Sequence, residues 1–114
     1  MIAVIFEVEP HRGAAIRYFE MAAALKSELE SIDGFMSVER FESIAKPGRF
    51  LSLSFWRDEA SVRAWRCHGM HRRAQQEGRG DVLAGYRLRV ATVVRDYGRH
   101  EREEVPSDSL SALI

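Results

Sequence analysis

The fold is decided by residues 50 to 78, which read FLSLSFWRDEASVRAWRCHGMHRRAQQEG. The first seven are rich in aromatic and aliphatic residues, and side chains alternate between the two faces of a strand. Leu51, Leu53 and Phe55 therefore share one face, while Phe50 and Trp56 share the other with two serines between them. We predict a buried strand over 50–56.

A helix signal follows this strand. Asp58 is a suitable N-cap residue, because its carboxylate can accept hydrogen bonds from the free N–H groups of the first turn. We predict one helix that ends near Gly78, and Gly69 marks a point where it can kink. Four side chains with chemical potential lie along one side of this helix: Trp65, His68, His71 and Gln75.

The rest of the chain supplies three more strands and one more helix. Residues 1–8 are apolar on both faces, residues 36–56 form a hairpin around Pro47-Gly48, and 82–97 form a final strand. The segment 11–31 has apolar residues at helical spacing, so we predict an amphipathic helix that lies on the sheet. Its apolar stripe contains Ala15, Tyr18, Ala22, Leu25, Leu29 and Ile32.

The order β-α-β-β-α-β predicts a ferredoxin-like α+β fold, with a four-stranded antiparallel sheet and two helices on one face. We assign Phe50 and Trp56 to the face that the helices leave bare. A large apolar patch is rarely left in water, so we expect a second copy to cover this face in a homodimer. Residues 98–114 are polar and charge-mixed, and we expect a flexible or dimer-docking tail.

Composition excludes several classes of function. The chain has 114 residues, which suits one domain, and its 17 basic and 17 acidic residues cancel. We therefore expect no nucleic-acid or membrane partner. Cys67 is the single cysteine, so there is no disulfide framework, and a reduced thiol suits a reducing compartment. The apolar start is too short to span a membrane and lacks a basic leader, so we expect a cytoplasmic protein.

Several local patterns resemble the antibiotic biosynthesis monooxygenase family of small dimeric α+β barrels. They cover roughly residues 1–97 and comprise Ile32-Asp33-Gly34-Phe35, Phe55-Trp56 before Asp58-Glu59-Ala60, Ala64-Trp65, and Tyr86-Arg87-Leu88-Arg89-Val90-Ala91. The resemblance implies a domain over 1–97 that acts as a cofactor-independent monooxygenase on a small aromatic or quinol-like compound. The alternative is a non-catalytic barrel of the same fold that binds a small hydrophobic ligand.

The haem-degrading branch of this family is the less favoured alternative. It carries an asparagine on the first strand, a tryptophan on the second helix, and an iron-binding histidine ten residues beyond that tryptophan. Here Trp65 matches, but Gln75 stands at the histidine position and the first strand has no asparagine. An amide side chain does not replace imidazole as an axial ligand of haem, so His68 or His71 would have to bind the iron from a shifted position. We therefore expect no cofactor.

Two histidines are the candidate catalytic residues. His68 and His71 lie three residues apart and so on neighbouring surface of a helix, where a neutral imidazole could accept a proton from a phenol or quinol. Trp65, Gln75 and Tyr18 are assigned to substrate binding. The structural alternatives are solvated histidines and a core tryptophan or tyrosine. We expect no metal, because the nearby carboxylates provide no evident third ligand.

Arginines concentrate on the second helix, namely Arg63, Arg66, Arg72, Arg73 and Arg79. Such a cluster is usually a solvated face, and an anionic substrate or ion pairs across a dimer are the alternatives. Cys67 lies between Arg66 and His68, but adjacent helical residues point in different directions. We therefore expect no catalytic role for this thiol.

Overall fold

The computed structural model describes residues 1–77 and 82–112. Its helices and strands, in chain order, are β1 (Ile2–Pro10), α1 (Ala15–Ala24), α2 (Lys26–Glu30), β2 (Phe35–Glu42), β3 (Phe50–Trp56), α3 (Glu59–Arg66), α4 (Gly69–Glu77) and β4 (Leu83–Thr92). The strands form one sheet in the order β2-β3-β1-β4, and each neighbouring pair is antiparallel. The predicted ferredoxin-like α+β fold is confirmed.

Two clusters of buried side chains join the sheet to the helices. The first contains Ile2 and Trp56 from the sheet with Leu29 and Val62 from the helices. The second is formed by Val8, Tyr18 and Val82. Both clusters lie on the same face of the sheet, because Ile2 and Val8 have the same parity along β1. The helices therefore cover one face, and the other face carries no helix, although Ala3 on it is buried.

The assignment of the two faces of β3 was wrong. Phe50 and Trp56 lie under the helices, where Trp56 is only 2% exposed and Phe50 packs against the second core cluster. Leu51, Leu53 and Phe55 therefore point to the helix-free face. The alternation of side chains along β3 was predicted correctly. Apolar character alone did not decide which set faces the helices, because both sets contain side chains that are apolar enough for the core.

The two predicted long helices are each broken into two. The first begins at Ala15 rather than at residue 11, and it is interrupted at Leu25 between α1 and α2. The second is interrupted at Cys67 and His68, just before the predicted kink at Gly69. Leu25 keeps the spacing of the apolar stripe, so the periodicity of the sequence passes through the break unchanged.

The predicted N-cap of the second helical segment is confirmed. The Asp58 carboxylate accepts hydrogen bonds from Ser61 N at 2.9 Å and from Ser61 Oγ at 2.7 Å. The loop before β2 approaches this cap closely at Gly34, which has a positive φ of 92°. A Cβ atom at Gly34 would lie 1.9 Å from Ser61 Oγ, so this loop needs glycine for both its dihedral angle and its space.

Strand β4 is shorter than predicted and ends at Thr92 rather than at 97. Among the described strands it pairs with β1 alone, and Thr92 is paired with Ile2, the first residue of that strand. In the segment after Thr92, Val105 is buried, with only 8% of its surface exposed. Arg102 in the same segment donates a hydrogen bond to the carbonyl oxygen of Gly98 at 3.2 Å. The domain boundary at 97 and the flexible or dimer-docking tail remain predictions.

Within the two described ranges, the helices are too short and too polar for any of them to cross a bilayer.

Candidate active site

A cavity of about 390 Å³ lies between the helix-covered face of the sheet and the helices. Val4 and Phe6 of β1 contribute to the sheet side, together with Ser52 and Ser54 of β3. The opposite side is built from apolar residues of the helices, including Leu25, Leu29 and Val62. The volume falls within the range of about 300–1,000 Å³ that small-molecule sites usually have.

The cavity exists because small residues occupy the middle of β3. Ser52 and Ser54 lie between the larger Phe50 and Trp56 on the helix side, and two hydroxymethyl groups leave the space above them unfilled. Ser54 Oγ accepts a hydrogen bond from Trp56 Nε1 at 2.9 Å, which satisfies the buried indole N–H. The sequence carried this signal as two serines between aromatic residues, but neither serine was predicted to belong to the site.

Trp65 brings the two candidate histidines together. Its ring lies 5.5 Å from that of His68 in a stacked arrangement and 4.8 Å from that of His71 in an edge arrangement. The break between α3 and α4 therefore keeps these three side chains in one cluster, as the sequence predicted for a continuous helix. Trp65 and His71 line the cavity, and Trp65 also packs against the first core cluster.

The pKa of His71 is lowered from its usual 6.5 to about 4. Burial is the largest cause, because removing the ring from water disfavours its charged form, and the positive charges of Arg72 and His68 act in the same direction. His71 is therefore neutral at pH 7. A neutral imidazole offers the cavity one hydrogen-bond donor and one acceptor.

His68 has a different environment from His71. Its Nε2 lies 3.7 Å from Glu28 Oε2 on α2, and its side chain is not among the described residues that line the cavity. The contact with Glu28 links α2 to the start of α4. His68 therefore contacts the cavity indirectly, through the indole of Trp65.

The other predicted binding residues differ in how far the structure describes them. Tyr18 is 8% exposed and lines the cavity from α1, where it also stacks on Phe50 with ring centroids 6.5 Å apart. Gln75 lies on α4, but its side chain falls outside the described part of the structure. The structure therefore places Tyr18 at the cavity.

Three arginines line the cavity, and none of them was predicted from the sequence to be a site residue. Arg40 comes from β2, Arg66 from the end of α3 and Arg72 from α4. Among the described lining residues there is no aspartate or glutamate. Arg66 and Arg72 belong to the arginine cluster noted in the sequence, whereas Arg40 is far from them in the chain. Arg79, another member of that cluster, lies outside the described residues.

The thiol of Cys67 responds to the same arginines. Cys67 is exposed, and a hydrogen bond from Arg72 lowers its pKa, with further lowering by the charges of Arg66 and Arg63.

In the part of the chain that the structure describes, histidine, cysteine and carboxylate side chains do not gather in groups of three that could hold a metal ion.

Comparison with known proteins places the chain in a family. Residues 1–77 match the family model described as antibiotic biosynthesis monooxygenase. The chain is 44% identical over 105 residues to a protein of Pyricularia oryzae named jasmonate monooxygenase ABM, and the match covers 92% of this chain and 49% of that protein. It is 32% identical over 78 residues to the uncharacterized protein YqjZ of Bacillus subtilis, covering 68% of this chain and 67% of that protein.

The chain thus spans about half the length of its Pyricularia oryzae relative. Solved structures agree with the fold. A Deinococcus radiodurans protein named for antibiotic biosynthesis monooxygenase has a TM-score of 0.77 at 11% identity, covering 86% of this chain and 97% of that chain. Rv0793 of Mycobacterium tuberculosis has a TM-score of 0.75 at 16% identity, covering 83% and 96% respectively.

Proposed function

The chain belongs to the antibiotic biosynthesis monooxygenase family, and we propose that it is a cofactor-independent monooxygenase of a small aromatic or quinol-like compound. The observation that carries this proposal is the cavity of about 390 Å³, whose lining is mainly apolar and contains the neutral imidazole of His71. An apolar cavity with a few polar groups suits a flat organic substrate and dissolved dioxygen.

The proposed reaction needs no external reductant. In a hydroxyanthrone, the ring methylene supplies all four electrons: it becomes a carbonyl with one oxygen atom of O₂, while its two hydrogens leave with the other oxygen atom as water. In a naphthol or quinol, a ring carbon gains one oxygen atom of O₂ to give a quinone, and the hydrogens of its C–H and of the phenolic O–H leave with the other oxygen atom as water. Removing a proton from the substrate makes its ring electron-rich, and this favours attack on dioxygen. The protein then has to exclude water, orient the ring and stabilise the substrate anion.

His71 is the residue proposed to contact the substrate hydroxyl. With a pKa of about 4 it is a weak base, so it cannot hold the proton of a phenol outright at neutral pH. It accepts a hydrogen bond from the hydroxyl, and the positive charges of Arg66 and Arg72 at the same cavity lower the pKa of the substrate. We assign His68 a positioning role, since it packs on Trp65 and faces Glu28.

Oxygen uptake tests this proposal. Purified protein is given a panel of hydroxyanthrones, naphthols, quinols and jasmonate, the last because it appears in the name of the Pyricularia oryzae relative. We expect oxygen consumption above the blank with at least one aromatic member, and one ¹⁸O atom in the product from ¹⁸O₂. Consumption by no member of the panel would favour the non-catalytic ligand-binding alternative.

Variants locate the activity within the cavity. His71→Ala should reduce kcat/KM by about 100-fold, at the low end of the range for acid–base groups because His71 is a weak base. His100→Ala is the matched control, since His100 is exposed and lies outside the described lining of the cavity. Equal rates for these two variants would refute the role of His71. A Soret shift on haemin titration would instead favour the haem-degrading alternative.

We also propose that the protein is a homodimer through the helix-free face of the sheet. The apolar side chains on this face are Ala3, Ile5, Phe41, Leu51, Leu53, Phe55 and Ala91, while the edge strands add the polar Ser37, Glu39, Arg87 and Arg89. Phe41 is 43% exposed in the single chain. Glu7 lies on this same face and pairs with Arg89 at 3.0 Å and Arg49 at 3.4 Å, so its charge is already neutralised there.

Sedimentation at micromolar concentration tests the dimer. Leu53→Asp places a charge in the middle of the helix-free face and should give a monomer, because burying an unpaired carboxylate is costly. Ile44→Asp introduces the same residue at a position that is 99% exposed in the β2–β3 turn, and this variant should remain a dimer. A monomeric wild type would refute the proposal.

A further inference from the structure

We propose that the cavity binds an organic monoanion, with an apolar body against the sheet and a carboxylate held by arginines at the cavity wall. This inference names the substrate class of the site proposed above and therefore rests on that function. Its basis is the charge distribution around the cavity.

Positive charge converges on the cavity from three separate elements. Arg40 of β2, Arg66 of α3 and Arg72 of α4 all line it, and no described lining residue carries a negative charge. In the described ranges, none of these three guanidinium groups forms an ion pair with a carboxylate. On the helix-free face, by contrast, two arginines share one glutamate.

Two titratable groups respond to this positive potential. The charges of Arg72 and His68 add to burial in lowering the pKa of His71. The pKa of the Cys67 thiol is lowered by a hydrogen bond from Arg72 and by the charges of Arg66 and Arg63. Burial is the larger cause at His71, but the contribution of Arg72 to both shifts has the sign of a positive charge, and Arg72 itself lines the cavity, where it favours the ionised form of a bound acid.

The remainder of the lining defines the body of the ligand. Val4 and Phe6 on the sheet and Leu25, Leu29 and Val62 on the helices form an apolar surface. An inorganic anion would leave that surface unfilled, whereas an amphipathic acid satisfies both parts of the cavity. A guanidinium fork matches a carboxylate with two parallel hydrogen bonds, so a terminal carboxylate is the group that these arginines suit.

A displacement assay separates the charge from the shape of the ligand. The uncharged fluorophore N-phenyl-1-naphthylamine serves as the reporter of the apolar cavity. It is displaced by 2-naphthylacetate or by 2-naphthylacetamide, which have nearly the same shape and differ in charge. We expect the acid to bind about 5- to 15-fold more tightly than the amide, between the values typical of an exposed ion pair and of a charge-assisted hydrogen bond.

Matched variants assign this preference to the cavity arginines. The double variant Arg66→Gln/Arg72→Gln should bind acid and amide equally and keep its affinity for the reporter within about twofold. Arg63→Gln/Arg73→Gln removes the same charge from the same helices at positions that are exposed and outside the described lining. This control should keep the preference for the acid, and far-ultraviolet circular dichroism checks that all variants are folded.

Each outcome leads to a different conclusion. If the wild type binds acid and amide equally, the anion proposal is refuted and the proposed function stands. If both double variants lose the preference alike, the effect comes from overall charge and the assignment to the cavity is refuted. If the reporter does not bind to the wild type at all, the cavity does not accept apolar molecules, and the proposed function fails together with the anion proposal.

Discussion

The neutral state of His71 predicts how the stability of this protein depends on pH. In the folded protein His71 has a pKa of about 4, against 6.5 for an unperturbed histidine. The unfolded chain therefore binds a proton between pH 6.5 and 4 that the folded chain does not bind. Since protons favour the state that binds them, the folded state loses stability as the pH falls through this window.

The size of the effect follows from the pKa shift and the burial of the ring. At about 1.4 kcal/mol per pH unit, a shift from 6.5 to about 4 corresponds to at most about 3.5 kcal/mol. The ring is only half-buried, and solvent screening reduces the value that applies to a partly exposed group. We therefore expect a loss of about 1–2 kcal/mol of unfolding free energy between pH 7 and pH 4.5 from this residue.

Urea unfolding of the wild type and of His71→Asn at pH 7, 5.5 and 4.5 measures this loss. The variant lacks the titrating ring, so its unfolding free energy should fall less steeply by the expected amount. His100→Asn serves as the control and should follow the wild type. Nuclear magnetic resonance titration of the His71 ring provides a direct measurement, and a midpoint near 6.5 would refute the buried, neutral imidazole on which the proposed hydrogen bond to substrate depends.

Two further predictions concern the contacts that hold α3, the helix that carries the tryptophan of the site. Gly34→Ala should destabilise the protein by roughly 2–4 kcal/mol, because the added Cβ meets a positive φ and also clashes with Ser61. Gly48→Ala is the control and should cost only about 1 kcal/mol, because Gly48 has a φ of 90° but no atom lies within 4 Å of the added Cβ. Equal losses of unfolding free energy in urea would contradict the close approach of Gly34 to Ser61. The pKa of Asp58 is lowered from 3.8 to about 2, mainly by its hydrogen bonds from Ser61, so its contribution to stability is complete above pH 3.8 and is lost as the pH falls towards 2. Asp58→Ala should flatten acid unfolding below pH 4 followed by circular dichroism, and a variant with the wild-type acid transition would rule out the cap as its cause.

The sequence was sufficient to predict features that depend on local chemistry. The Asp58 cap depends on a short carboxylate placed three residues before a serine, and both partners are close together in the chain. The order of strands and helices likewise follows from periodicity alone. Trp65 was expected near the site because its position resembled that of the family, and the structure places it in the cavity lining.

Features that depend on long-range placement could not be predicted in the same way. The contact between His68 and Glu28 joins the start of α4 to α2, and no sequence pattern connects two residues 40 positions apart. Arg40 reaches the cavity from the edge strand β2, and the sequence assigned this residue only to a hairpin. The interruption at Leu25 was not predicted, because a break of one residue leaves the apolar stripe almost unchanged, whereas the interruption at Cys67 and His68 lies just before the kink predicted at Gly69.

The choice of which β3 side chains face the helices connects the cavity to the proposed dimer. Each strand residue faces one side only, so the choice that places Ser52 and Ser54 under the helices also places Leu51, Leu53 and Phe55 on the bare face. With the opposite choice, two leucines would fill the space that is now a cavity, and the bare face would carry two serines. The serines therefore open a site but reduce the packing of the core. The leucines give the helix-free face an apolar surface, and its burial by a second copy can compensate the stability lost in the core. A chain that kept the cavity but remained monomeric in water would have neither source of stability, and for this reason we expect the binding site and the dimer to occur together.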